Sequence, residues 1–277
     1  MQAITKNVYV ETGFRGCNTG LVVTTRGVVV IDTPMVPYEA KEWKKEASRH
    51  GPVRYIINTE PHTDHASGNC WFGAPVISHE GTRIALAAAQ VKDLVNALGG
   101  MAPEALPLDP DFRYQLPEIT FSQKLSFFLG EHSFHLINLP GHTLSEIAVY
   151  VPEEKVIFTG DNLNLRMPIF IKSDPLAWLE SLKQLQSFAA DRLVPGHGVV
   201  SDMTRLPWMM DQVELWLKSV QSAISQGMSL EEMLKKVNMA EKYPQIKDPW
   251  MHQIMRHSLA DLYQYLAAPP NQDQADN

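Results

Sequence analysis

The strongest constraint on this chain is the run Thr59-Glu60-Pro61-His62-Thr63-Asp64-His65, which closes the apolar stretch 54–59 (RYIINT). Glu60, His62, Asp64 and His65, four side chains able to bind a metal, stand within six residues at the point where a buried strand runs out into a loop. Unpaired charges at such a strand end are costly to desolvate, and a cation is one partner that offsets the cost. His62 and His65 cannot share one face of a strand, so the loop must turn and present them to different positions, which suits two ions better than one.

Three later segments repeat the arrangement of an apolar run followed by a ligand. Pro140-Gly141-His142-Thr143 follows FHLINL, Thr159-Gly160-Asp161 follows VIF, and Val194-Pro195-Gly196-His197-Gly198 follows Arg192-Leu193. A glycine beside each ligand lets the backbone turn sharply and approach a small centre closely. Delivery from several strand ends is how a rigid scaffold fixes a metal to fractions of an ångström.

Around these segments, β-branched runs at 20–25 and 27–32, parted at Arg26-Gly27, predict a hairpin. Val36, Ala40, Trp43 and Ala47 predict a helix, followed by buried strands at 54–59 and 75–78. Ile84, Ala88, Val91, Val95 and Leu98 fall on one helical stripe that Gly99 and Gly100 should terminate. Four prolines in 102–118 predict a surface connection, or a flap beside the site. Strand patterns resume at 119–128, 133–139, 146–151 and 155–159; a helix at 175–188 turns Leu176, Leu179, Leu182 and Leu185 inward, and a short strand covers 192–194. Strands and a helix, twice over, predict two sheets packed face to face with helices outside, an α+β architecture. From residue 204 the pattern is helical, with stripes Val213, Trp216, Val220, Ile224 and Trp250, Ile254, Leu259, Leu262, Leu266 that predict core or a subunit contact.

The ligand segments resemble the metallo-β-lactamase superfamily over residues 7 to about 200. Its first motif reads His-x-His-x-Asp-His, against Glu60-Pro61-His62-Thr63-Asp64-His65 here, and its later motifs are matched by His142 in Pro-Gly-His-Thr, Asp161 in Thr-Gly-Asp and His197 in Pro-Gly-His-Gly. The resemblance implies a four-layer αββα sandwich over 1–203; the helical pattern predicts an extension at 204–268, and the polar run PPNQDQADN a disordered tail at 269–277. The resemblance also implies one metal held by Glu60, His62 and His142, another by Asp64, His65 and His197, and Asp161 between them. A hydroxide bridging the ions would then attack a carboxyl-type bond of a small molecule, such as a lactone, thioester, ester or β-lactam-like amide. Asp64 would also act catalytically, orienting that hydroxide or passing a proton to the leaving group.

Glu60 is the departure, since the family's motif has histidine there. Glu60, Asp64, Asp161 and a hydroxide together carry a charge of about −4, which balances two divalent ions and makes the centre less electrophilic than the usual ligand set. Zinc is the first expectation for the two divalent ions, and a harder oxygen ligand tilts the site toward manganese or iron. The alternatives are a Glu60 that points to solvent and, for function, a di-iron redox or oxygen-activating enzyme on the same scaffold.

In the loop 162–174, Arg166 and Lys172 stand among apolar residues, the mixture that a pocket for a small organic acid requires, and are candidate substrate contacts. His79 reads as a hydrogen-bonded structural histidine; His132, His135, His252 and His257 lack ligand spacing and read as solvated or interface residues. Cys17 and Cys70 read as free thiols. A net charge of −7 without a Lys/Arg cluster argues against nucleic acid or an anionic membrane as partner. The absence of a signal-like apolar stretch near the start, or of an apolar run of roughly 18 residues anywhere, predicts a soluble, cytoplasmic protein. A homodimer through the C-terminal helices is the oligomer expected.

Overall fold

The computed structural model of the chain describes residues 1–110 and 112–268; the tail expected at 269–277 lies outside the described residues. Seven strands form one sheet in sequence order: β1 (Gln2–Ala3), β2 (Val8–Glu11), β3 (Thr19–Thr24), β4 (Gly27–Ile31), β5 (Val53–Ile57), β6 (Val76–His79) and β7 (Ile119–Phe121). The first four pair antiparallel, and β4 to β7 run parallel. Parallel neighbours need crossovers, which are supplied by α1 (Pro37–His50), by the short turn α2 (Thr63–Ala66), and by α3 (Glu80–Ala88) with α4 (Val91–Met101).

The second sheet has the order β12-β11-β10-β9-β8, comprising β8 (Lys124–Leu129), β9 (His132–Asn138), β10 (Ile147–Val151), β11 (Val156–Phe158) and β12 (Arg192–Val194). Its one parallel pair, β11 with β12, is joined through α5 (Pro175–Leu185). Three helices follow: α6 (Arg205–Ser225), α7 (Leu230–Lys236) and α8 (Pro249–Ala267).

Alternation along each strand sorts the apolar residues into layers. Val22, Val29, Ile31, Ile57 and Ile77 of the first sheet meet Phe134, Leu136, Ile147, Val149 and Phe158 of the second. The intervening residues Leu21, Val28, Val30, Ile56 and Val76 face outward onto Ala40, Trp43 and Ala47 of α1. On the far side, Ala148, Ile157 and Leu193 are covered by Trp178, Leu182 and Leu185 of α5 and by Leu206, Val213 and Trp216 of α6. The expected αββα sandwich is therefore present, and β4 is buried on both faces, which is why it reads as an unbroken run of β-branched residues.

Several local expectations need correction. The segment 119–128 is two strands in different sheets, parted at Ser122-Gln123, so one β-rich run carries the chain from one layer to the other. The stripe from Ile84 to Leu98 is broken: Ala89 and Gln90 are extended, a capping box between Gln90 and Asp93 restarts the helix, and Ile84 is exposed. Gly99 and Gly100 lie within α4 rather than ending it. In α5 it is Trp178 and Ser181 that face inward with Leu182 and Leu185, while Leu176 is exposed. Within the segment expected as a surface connection or flap, Ala102 and Phe112 join a small core with Met35, Val36, Leu94 and Leu98.

Candidate metal centre

All seven proposed ligands project from the ends of strands or from the turns that follow them. Beyond β5, Asn58 and Thr59 lead to Glu60, His62 stands just before α2, and α2 itself carries Asp64 and His65. This turn is pinned through the His65 carbonyl, which accepts from Thr33 N at 2.9 Å and from Asn58 Nδ2 at 2.9 Å. After β9, the His142 backbone N–H donates to Asn162 Oδ1 at 2.9 Å. After β11, Gly160 takes a positive φ of 54°, and the Asp161 N–H donates to Glu146 Oε1 at 2.8 Å. A Cβ on Gly160 would stand 2.0 Å from that Glu146 oxygen, so both the conformation and the space demand glycine. After β12, Asn18 grips the His197 loop by donating Nδ2 to the carbonyls of Pro195 and Gly198, each at 2.8 Å.

Their donor atoms converge. Glu60, His62 and His142 form one group, Asp64, His65 and His197 a second, and Glu60, His65 and Asp161 a third, with the donor atoms of each group within 4.8 Å of one another. His197 Nε2 lies 3.3 Å from both Asp64 Oδ2 and Asp161 Oδ2, and His65 Nε2 lies 3.5 Å from Asp161 Oδ1. Two donors each roughly 2.1 Å from a tetrahedral ion stand roughly 3.4 Å apart, so these are the edge lengths of a coordination shell. Glu60, expected either as a ligand or in solvent, is 0% exposed, which excludes the solvent alternative.

The ring tautomers fit the same use. His142 Nδ1 donates to the Ile169 carbonyl at 2.7 Å, and His65 Nδ1 lies 3.0 Å from Asp32 Oδ2, so in each neutral ring Nε2 keeps its lone pair for the centre. Glu60 Oε2, His65 Nε2 and Asp161 Oδ1 are buried and take part in no hydrogen bond among the described residues. Orphaned donors of this kind, beside the buried carboxylates of Glu60 and Asp161, are what a divalent cation would satisfy. Burial alone would push His62 and His197 down, but Glu60 beside the first and Asp161 beside the second outweigh it and hold both near about 9. Without an ion, those two rings therefore carry protons that a metal must displace.

The sequence reading missed the supporting residues. Asp32, at the end of β4, accepts from Thr59 N at 2.8 Å and from Thr59 Oγ1 at 2.6 Å while it orients His65. Its setting, Val-Ile-Asp at a strand end, repeats the pattern that singled out Asp161 and could have flagged it. Glu146 is buried under Asp161, and burial, reinforced by Glu60 and Asp161, raises its carboxyl well above the usual range. Cys17 lies within 4.8 Å of a His65 nitrogen and an Asp32 oxygen, and burial pushes its thiol up to about 12. Both cysteines are free, as expected.

A cleft of about 280 Å³ opens over the cluster, lined by His62, Asp64, His142, Asp161 and His197 on its floor. Met35, Ile169 and Ile171 form apolar walls; Ala97 and Met101 of α4 and Trp250, Met251 and Ile254 of α8 close the rim. Arg166 is the one Lys or Arg among the lining residues. Lys172, the other expected substrate contact, instead lines a separate hollow with Phe170, Asp261 and Tyr265, its backbone N–H donating to Asp261 at 3.2 Å. Hollows of about 300 Å³ between α7 and α8 and beside Gln2 are as roomy but hold none of the seven ligands.

Two histidines outside the cluster, His79 and His132, are held in structural contacts. His79 accepts from Gly81 N at 3.0 Å at the start of α3 and donates Nε2 to Ser122 O at 2.8 Å. His132, expected to be a solvated or interface residue, is instead buried with Nε2 2.8 Å from Glu154 Oε1, because strand alternation turns it into the space between the sheets.

The family model described as the metallo-beta-lactamase superfamily matches residues 12–197. The linear primary-alkylsulfatase of Pseudomonas sp. is 25% identical over 206 residues, 65% of this chain and 36% of that protein. The hydroxyacylglutathione hydrolase of Brucella anthropi is 26% identical over 183 residues, 65% of this chain and 60% of that protein, so the chain spans less than two thirds of either relative. In fold, the chain is similar to a metallo-beta-lactamase from Pontibacter korlensis, with a TM-score of 0.62 and 22% identity over 77% of this chain and 97% of that one. A stereoselective inverting sec-alkylsulfatase from Pseudomonas sp. has a TM-score of 0.72 at 16% identity, over 99% of this chain and 51% of that one, a span that includes the C-terminal helices.

Proposed function

This chain belongs to the metallo-beta-lactamase superfamily, and from that premise we propose that it is a metal-dependent hydrolase of small molecules with a carboxyl-type scissile bond. The observation that carries the reading is the convergence of four histidines and three carboxylates beneath an open cleft, with buried atoms of Glu60, His65 and Asp161 left without hydrogen bonds. Glu60, His62 and His142 would hold one divalent ion, and Asp64, His65 and His197 the other, with Asp161 facing both groups; zinc is the first expectation, manganese or iron the alternatives that the added carboxylate favours. When bound, such ions acidify water and polarise the bond under attack.

The chain's own residues supply position and proton handling. Ile169 O and Asp32 fix the rings of His142 and His65. Asp64, whose burial would raise its carboxyl but whose partners His65 and His197 hold it well below the usual range, stays ionised at the cleft floor, where it can orient the attacking water. Arg166 is placed to pair with an anionic group on the substrate, while the Met, Ile and Trp walls suit an apolar arm.

Metal analysis of protein purified without chelators, paired with turnover on a lactone, thioester, ester and β-lactam panel, tests the reading. Two divalent ions per chain with hydrolysis of at least one class is expected. Full occupancy without any turnover, or iron with an oxygen-dependent product, would overturn it.

A further inference from the structure

The two halves of the candidate centre are not served by separate ligand sets, because two carboxylates, Glu60 and Asp161, reach both. Glu60 is grouped with His62 and His142 and again with His65 and Asp161. Its Oε2 lies 2.8 Å from His62 Nδ1 and 4.0 Å from His142 Nε2, toward the first position. Its Oε1 lies 3.3 Å from His65 Nε2, which belongs to the second, and 3.0 Å from His62 Nδ1. Asp161 is disposed in the same way, with Oδ1 3.5 Å from His65 Nε2 and Oδ2 3.3 Å from His197 Nε2 and 3.9 Å from His142 Nε2. A histidine in place of Glu60 could offer the centre only one nitrogen, and therefore only one position; a carboxylate has two oxygens.

We propose that Glu60 is a ligand shared by both metal positions, one oxygen to each, so that Glu60 and Asp161 form a pair of carboxylate bridges and the two positions fill together. This rests on the metal-dependent reading of the site. A shared carboxylate places half of its charge against each ion, which offsets their mutual repulsion across a short separation. It also couples the sites: an ion at the first position orders the carboxylate for the second. The chain is adapted to that use, since Glu60 is 0% exposed and its carboxylate faces only the rings of the cluster, with His62 Nδ1 its nearest neighbour at 2.8 Å.

The test is a crystal structure of the metal-loaded protein with anomalous scattering, together with cobalt titrations of the apo protein and of Glu60→His and Glu60→Gln. Shared ligation predicts two anomalous peaks, each within roughly 2.5 Å of a different Glu60 oxygen, and a wild-type titration with one transition at two equivalents. In Glu60→His the first position keeps its affinity, while the second, held by Asp64, His65 and His197, weakens by roughly 10-fold or more and its visible cobalt bands change. Those bands report coordination at the second ion, which a mere loss of nearby charge leaves intact. Two peaks with both Glu60 oxygens on the first ion, or unchanged second-site bands in Glu60→His, would overturn the bridge and leave the hydrolase reading standing. No anomalous peak at the cluster would overturn both.

Discussion

At the scale of single residues, the site depends on groups that never touch the substrate. Asp32→Asn keeps the shape but can present an N–H where His65 Nδ1–H needs an acceptor, so metal affinity should fall by roughly 10- to 100-fold, measured by competition with a chromophoric chelator. Unchanged affinity would show that Asp32 does not orient the ring. His62 and His197, each near about 9 in the ion-free site, are protonated at neutral pH and must lose those protons to ligate. Metal affinity should therefore rise as pH increases from 6 toward 9, with proton release on binding that calorimetry in buffers of different ionisation enthalpy would register. For the ion-free fold the sign is reversed: raised histidine pKa values stabilise below about 6.5, and that contribution is lost as pH rises through about 9. The ligands were legible because each follows an apolar run and stands beside a motif glycine or inside the dense Glu60–His65 run. Asp32, Glu146, Asn18 and Asn162 were not, because their role is set by what folds against them rather than by their sequence neighbours.

At the scale of elements, the turn at Gly160 and the rim helix α8 are the most exposed to test. Gly160→Ala would force a Cβ into a left-handed residue and against Glu146, at a cost of at least ~2 kcal/mol, and would displace Asp161 from the centre. A lowered Tm together with reduced metal content is expected; a stable, fully loaded variant would contradict the account. Trp250 is 38% exposed on the cleft rim, and its nearest atoms would stand 3.8 Å from a Cβ on Gly100 of α4. Trp250→Ala should raise KM for substrates with an apolar arm by roughly 10-fold, about 1.4 kcal/mol, with kcat little changed, because it removes binding that ground and transition states share. Strand identities were largely readable from β-branched runs, but the switch of sheets at Ser122-Gln123 was not, since a run rich in Ile and Phe looks the same whether it stays in one layer or crosses to the next. The stripe from Ile84 to Leu98 misled for a related reason: apolar spacing alone cannot see the Gln90–Asp93 cap that starts a new helix.

At the scale of the whole molecule, the C-terminal helices are part of the core. Leu206, Met209, Val213 and Trp216 of α6 are fully buried over the second sheet and α5, and α8 adds Leu259 and Leu262. Deletion of residues 204–268 should expose that face and cause aggregation, visible in size-exclusion chromatography; a monodisperse, folded truncate would refute the placement. Among the described residues no helix is long and apolar enough to cross a membrane. The layered architecture was legible because the alternation of apolar positions fixes which face of each strand is covered. The route by which α8 returns to the cleft was not, because no local pattern distinguishes a helix that lines a pocket from one that only packs. The claim on which all of this rests is that the cluster binds two divalent ions that the reaction needs. Its most direct test is to strip the protein and add metal back while following hydrolysis of the best substrate of the panel. Activity that is absent at the start and rises to a plateau at two equivalents per chain is the predicted result; activity that survives stripping, or that ignores added metal, would contradict it.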